Sequence, residues 1–252
     1  MQTQSTTHHA VASREEWLEA RKALLAQEKA YTRERDRLTA KRLALPWVRI
    51  DKDYMFDTPA GRRSLADLFD GRSQLVIYHF MLPPEWEAGC PGCSFLADHL
   101  GGTLAHLNHH DVTVTAVSRA PLDRIEAYRR RMGWHFPWAS SHDSDFNRDF
   151  GVTFTAEDVA AGTAIYNYEP TSATGEMPGL SAFHKDEAGQ IFHTYSTYGR
   201  GLEEVLGTYM ILDRAPFGRN EESTMDWLRR HDEYEDAAPA SCCGSASSQA
   251  AA

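Results

Sequence analysis

Leu75–Met81 reads LVIYHFM, and no other stretch restricts the fold as much. A strand that presents apolar side chains to both faces cannot lie at a wet edge. It belongs in the middle of a sheet covered on both sides, the habit of parallel strands in α/β proteins. The next strand pattern, Val112–Ser118, follows after a helical stretch from about Pro91 to His110 that Gly101-Gly102 interrupts. Pro121 then opens a helix with Leu122, Ile125, Tyr128 and Met132 on one stripe. Phe136–Ser140 reads as a short strand and Ser144–Phe150 as a short helix. Ahead of the apolar run, Asp53–Asp57 and Arg62–Ser64 flank a Thr-Pro-Ala-Gly turn, and Leu65–Phe69 is a short helix. Beyond residues 152–179, which carry no clear period, Leu180–Lys185 and Gln190–Ser196 form a hairpin, and Gly201–Leu212 reads as a last long helix. This succession predicts an α/β fold with a sheet of mixed direction, flanked by helices.

Nine residues past the apolar run stands Cys90-Pro91-Gly92-Cys93. Pro91 suits the first position of a helix, where a missing N–H costs nothing. Cys90 then sits at the helix N-terminus and Cys93 one turn in, a spacing that lets two sulfurs form a short-loop disulfide. Helix-terminal N–H groups favour the thiolate of Cys90, while Glu85 and Glu87 just upstream act in the opposite sense. An exposed first thiol and a shielded second one is the asymmetry that thiol–disulfide exchange requires. A zinc site needs two more ligands. The other cysteines, Cys242-Cys243, are adjacent to each other, and His99, His106, His109 and His110 read as a solvated helix surface. No metal and no cofactor is expected.

Two sets of motifs carry a resemblance. Phe56-x-x-Pro59-x-Gly61-x-x-Ser64-Leu65-x-Asp67-Leu68-Phe69, followed by Leu75-Val76-Ile77-Tyr78, resembles the opening of the peroxiredoxin branch of the thioredoxin-like superfamily. YHFMLPPEWEAGCPGCSF, VSRAPLDRIEAYRRRMGW, SDFNRDFGV and FHTYSTYGRG together resemble the bacterial family called domain of unknown function 899, from about Trp17 to Tyr234. That resemblance implies a thioredoxin-like fold and a dithiol–disulfide oxidoreductase. Within it, Cys90 matches the nucleophilic position, Cys93 the resolving one, and Pro178 the proline that faces the redox pair, expected in the cis form. The peroxiredoxin signature Pro-x-x-x-Thr-x-x-Cys is incomplete, because Glu87 stands where the threonine belongs. The first expectation is therefore exchange through a mixed disulfide, with a protein or small-molecule disulfide as substrate and a thiol as reductant. A thiol peroxidase and a non-enzymatic binding protein on the same fold are the alternatives.

Charge divides the chain further. Residues 14–42 hold nine Lys/Arg and six Asp/Glu, a net of +3 within a total of −10. Ser13 and Glu16 form a capping-box pattern, and Trp17, Leu24, Tyr31 and Leu38 recur every seven residues, which predicts one long helix with a packing or dimerising stripe. The expected domains are an N-terminal arm over 1–45, a thioredoxin-like domain over 46–219, and an acidic then low-complexity tail over 220–252 whose end is disordered. Net negative charge argues against nucleic acid and anionic membranes as partners. With a polar N-terminus and no long apolar run, the expected location is the cytoplasm.

Overall fold

The structure, a computed structural model, describes residues 9–234. The chain divides into two compact units at Pro46/Trp47. The first holds helix α1, Arg14–Leu43, which begins as the sequence predicts: Ser13 accepts from the Glu16 N–H, and the Glu16 carboxylate accepts from the Ser13 N–H at 2.8 Å. No residue of α1 is buried.

The second unit carries strands β1 (Val48–Arg49), β2 (Met55–Thr58), β3 (Gly61–Ser64) and β4 (Gln74–His79), then helices α2 (Pro91–Ala97) and α3 (Leu104–His109). Strand β5 (Val112–Ser118), helix α4 (Leu122–Arg131), strand β6 (Trp138–Ser140) and helix α5 (Phe146–Asp149) follow. Residues 152–179, without a clear period in the sequence, contain β7 (Thr153–Phe154), α6 (Ala156–Ala160), β8 (Ile165–Tyr166), β9 (Glu169–Pro170) and β10 (Gly175–Glu176). These pieces are too short to show periodicity. The chain closes with β11 (Gly179–Lys185), β12 (Ile191–Tyr198) and α7 (Gly207–Leu212).

Eight strands form one sheet in the order β1-β12-β11-β4-β5-β6-β2-β3. The apolar run is central, as its composition demands. β4 pairs with β5 in parallel, from Gln74↔Val112 to His79↔Val117, and with β11 antiparallel, from Gly179↔His79 to His184↔Gln74. Strand alternation then splits its side chains between two cores. Leu75 and Ile77 join Phe56, Phe146 and Phe183 on one face, while Tyr78 and Phe80 join Cys93, Leu96, Tyr128 and Trp138 on the other. Full burial of one such side chain contributes about 1.5–3 kcal/mol. This is the expected α/β architecture, a sheet of mixed direction with the helix-terminal cysteines following the central strand.

One element differs from expectation. Gly201–Leu212 is not one helix: a 3₁₀ stretch, Gly199–Val205, is separated from α7 by Leu206, whose φ −94°, ψ 86° is not helical. Close approaches at both glycines explain the break. A Cβ at Gly201 would overlap the Thr197 hydroxyl, and one at Gly207 would lie 3.2 Å from the His99 ring. His99 itself is used structurally, taking the Thr208 N–H at 3.0 Å on Nε2. The break lets Leu202 and Leu206 both reach the core beneath α2.

Candidate functional site

Cys90 is the N-cap of α2 and Pro91 occupies the first turn, as the sequence predicts. The loop before it is pinned from several sides. The Cys90 N–H donates to the Met81 carbonyl at 3.1 Å, and the Arg230 guanidinium donates twice to the Gly89 carbonyl, at 2.9 and 2.7 Å. Gly89 lies flat against Phe80 and Tyr128; a Cβ there would overlap the Phe80 ring and lie 2.8 Å from Tyr128 Cε1. The Ser94 hydroxyl, one turn into α2, donates to the Cys90 carbonyl at 2.8 Å and also meets the Tyr128 hydroxyl.

The two sulfurs have opposite environments. Cys90 is half-buried and Cys93 only 2% exposed, and both are free thiols. A hydrogen bond from the Cys93 thiol is the main reason that the Cys90 thiol falls to about 6. Its own burial opposes this, while the N–H groups of Cys93 and Gly92 and the charge of Arg230 assist. For Cys93, burial dominates and pushes the thiol well above its ordinary range, and donation to Cys90 adds to that. The Tyr78 hydroxyl and the Met81 N–H, 3.4 Å from Cys93 Sγ, donate in the other direction but do not reverse it. The pair thus ionises first at Cys90 and keeps its shared proton on Cys93. Glu87, the residue in the threonine position, is 90% exposed on its side chain and 3.8 Å from Arg124.

Cys90, Cys93 and Pro178 line one cavity of about 260 Å³, so the three residues singled out from sequence and resemblance come together in space. The conformation of Pro178 is a correction. No peptide bond among the described residues is cis, so Met177–Pro178 is trans. The chain runs extended here from β10 to β11 with only two residues between, the Met177 N–H bonds to the Val152 carbonyl at 2.9 Å, and the Pro178 carbonyl accepts from Tyr166 at 2.7 Å. No turn is present that a cis bond would serve.

Tyr78, Met225 and Arg230 also belong to the site, and the sequence reading does not single them out. Tyr78 is part of the apolar run, and its alternation with Ile77 is the signal that it faces α2. Met225 and Arg230 fall in the segment that reads as the start of a tail, yet Met225 lies against Gly92 and lines the cavity. Nothing in their local pattern marks them. Cys242 and Cys243 lie outside the described residues. Among the described residues no group of three metal-ligating side chains is assembled, and no helix is long and apolar enough to cross a membrane.

The family described as "Bacterial protein of unknown function (DUF899)" matches residues 6–234, and the chain belongs to it. No curated protein matches. Similar solved structures include a cysteine-to-serine mutant of PrxQ from Xylella fastidiosa, at 17% identity and TM-score 0.42, covering 63% of this chain and 88% of that one. The peroxidoxin BcpB from Mycobacterium tuberculosis is similar at 13% identity and TM-score 0.43, covering 65% and 95%. A putative thiol:disulfide interchange protein DsbE from Chlorobium tepidum is similar at 14% identity and TM-score 0.40, covering 65% and 97%.

Proposed function

We propose that this member of the family is a thiol–disulfide oxidoreductase of a reducing compartment, the cytoplasm, using Cys90 and Cys93 as its redox pair. One observation carries the reading: a half-buried Cys90 ionising at about 6 stands at a helix N-terminus, one turn from a buried Cys93 held as a thiol. At neutral pH the Cys90 thiolate attacks a substrate disulfide. The bond between the substrate sulfurs breaks, one half leaves as a thiolate and takes a proton from water, and the other remains on Cys90. Once Cys90 is in the mixed disulfide its charge no longer opposes ionisation of Cys93, while burial still does, so Cys93 gives up its proton only as it attacks Cys90 Sγ, and that proton goes to the departing substrate sulfur. The second substrate thiol leaves and the pair becomes a disulfide, which an external thiol reduces. The N–H groups of Gly92 and Cys93 hold the negative charge on Cys90 before attack and after its release. Pro178 closes one wall beside the sulfurs.

A peroxidase cycle would take the same Cys90 through sulfenic acid. The exposed carboxylate of Glu87 in place of a hydroxyl disfavours it. Incubation of Cys93→Ser with a disulfide substrate should trap a stable mixed disulfide at Cys90, whereas Cys90→Ser should trap none. Adduct on Cys93 alone would reverse the roles, and fast consumption of peroxide with no disulfide exchange would replace the reading with the peroxidase one.

A further inference from the structure

The cavity beside the sulfurs is apolar on almost every side. Its walls are the ring of Tyr78, the side chains of Leu96, Leu202 and Leu206, Pro178, and Met225. The charged residues on its rim are Arg200 and Glu203, and they cancel: Glu203 accepts from Arg200 at 2.8 Å and from Arg219 at 2.9 Å. Among the described residues lining the cavity, no cation is left over to hold a carboxylate. An apolar cavity of about 150 Å³ already binds benzene, so 260 Å³ beside a reactive sulfur takes a substituent of roughly one ring with a short linker, or a comparable alkyl chain.

Met225 is the wall that needs explaining. Its φ is +65°, a left-handed conformation that costs a non-glycine residue of this shape energy. The conformation is held because the Glu221 carboxylate takes the Met225 N–H at 3.0 Å, the Trp227 indole N–H at 3.1 Å and the Tyr209 hydroxyl at 3.2 Å. Strain maintained by such a cluster beside a reactive group points to placement of that side chain.

Resting on the oxidoreductase reading, we infer that this cavity is a specificity pocket for a compact, uncharged apolar group carried directly on the sulfur of a low-molecular-weight disulfide, and that Met225 sets how long that group can be. The reaction is that of the proposed function: the enzyme dithiol becomes a disulfide and the substrate disulfide becomes two thiols. The pocket decides which half of the substrate stays on Cys90, namely the half whose apolar group it holds.

The test is the rate at which dimethyl, diethyl, dipropyl, dibutyl and dihexyl disulfide, and the doubly charged dithiodiglycolate, oxidise the full-length reduced protein. Each rate is divided by that of the same disulfide with free cysteine. The normalised rate should rise about fourfold per methylene that the pocket buries. Dithiodiglycolate should be slower than diethyl disulfide by about tenfold or more, because its carboxylate would be desolvated without a partner. Met225→Trp fills the pocket and should flatten the dependence on chain length. Met225→Gly, which suits the left-handed backbone, should carry the rise to longer chains. A flat profile in the wild-type protein, equal rates for the charged disulfide, or a profile unmoved in both variants overturns the inference while leaving the oxidoreductase reading in place. A pair that no disulfide oxidises refutes that reading, and the inference falls with it.

Discussion

The most direct perturbation of the site is Cys93→Ala. The Cys90 thiol ionises at about 6, against an ordinary value of about 8.5, so it is roughly nine-tenths thiolate at pH 7 where a free cysteine is only ~3% ionised. The largest contribution is the hydrogen bond from Cys93, ahead of the helix-terminal N–H groups and Arg230. Alanine removes that donor and leaves the opposing effect of burial. The midpoint of Cys90 ionisation should therefore rise by at least about one unit, equivalent to ~1.4 kcal/mol. Cys93→Ser keeps an O–H donor at the same place and should hold the midpoint much nearer to 6. The assay is the ultraviolet absorbance of the thiolate, titrated from pH 4 to 10, with Cys90→Ser variants as blanks. An Ala midpoint within about 0.3 units of the wild-type value would refute the reasoning, since the acidity of Cys90 would then come from the helix terminus and not from its partner.

The same asymmetry makes the reduced protein's stability depend on pH. The folded state holds the Cys90 proton less tightly than the unfolded chain does, so stability should rise between pH 6 and about 8.5, by on the order of 3 kcal/mol, and Cys90→Ser should lose that rise in urea titrations. Above about 8.5 the trend should reverse, because the unfolded chain ionises Cys93 and the folded one resists it. Gly89→Ala should cost about 1–3 kcal/mol in denaturant unfolding, because its Cβ meets the Phe80 ring, which Trp138 holds from 4.5 Å away. Arg230→Gln should free the Gly89 carbonyl and raise the Cys90 midpoint by less than Cys93→Ala does, as its charge is the weakest of the contributions that lower it.

Periodicity makes the central sheet legible. The run LVIYHFM puts β4 in the middle, Val112–Ser118 is β5 without change, and Pro91 marks the start of α2. Where the sequence is silent, the cause is local. Strands of two residues, such as β7 and β10, contain no period to detect. The interruption at Leu206 comes from Gly201 against Thr197 and Gly207 against His99, partners far away in the chain or on another element. Residues 220–234 read as tail because their surroundings are acidic and few of them are large and apolar. Composition averages away the feature that matters there: Leu228 is buried in the core that contains Cys93, and Arg230 reaches back 141 residues to Gly89.

The asymmetry of the redox pair depends on both that segment and the central strand. The helix terminus alone would favour a thiolate at Cys90 and say nothing of Cys93. Burial of Cys93 beneath Tyr78 and Leu96, in the same core that the central strand builds, is what keeps its proton in place and turns it into a donor. The segment around Met225 and Arg230 then closes the other side of Cys90 without contributing a base that would compete for that proton. Acidity at Cys90 comes chiefly from the hydrogen bond that Cys93 donates, and inertness at Cys93 from its burial, so both depend on Cys93 being the deeper of two residues one turn apart. A change that equalises their exposure should reduce the difference in their reactivity even if both sulfurs remain. Leu96→Ala, which opens the core behind Cys93, should raise the alkylation rate of Cys93 relative to that of Cys90 at pH 8, as measured by mass spectrometry. An unchanged ratio, with the fold intact, would mean that hydrogen bonding rather than depth sets the order in which the two thiols react.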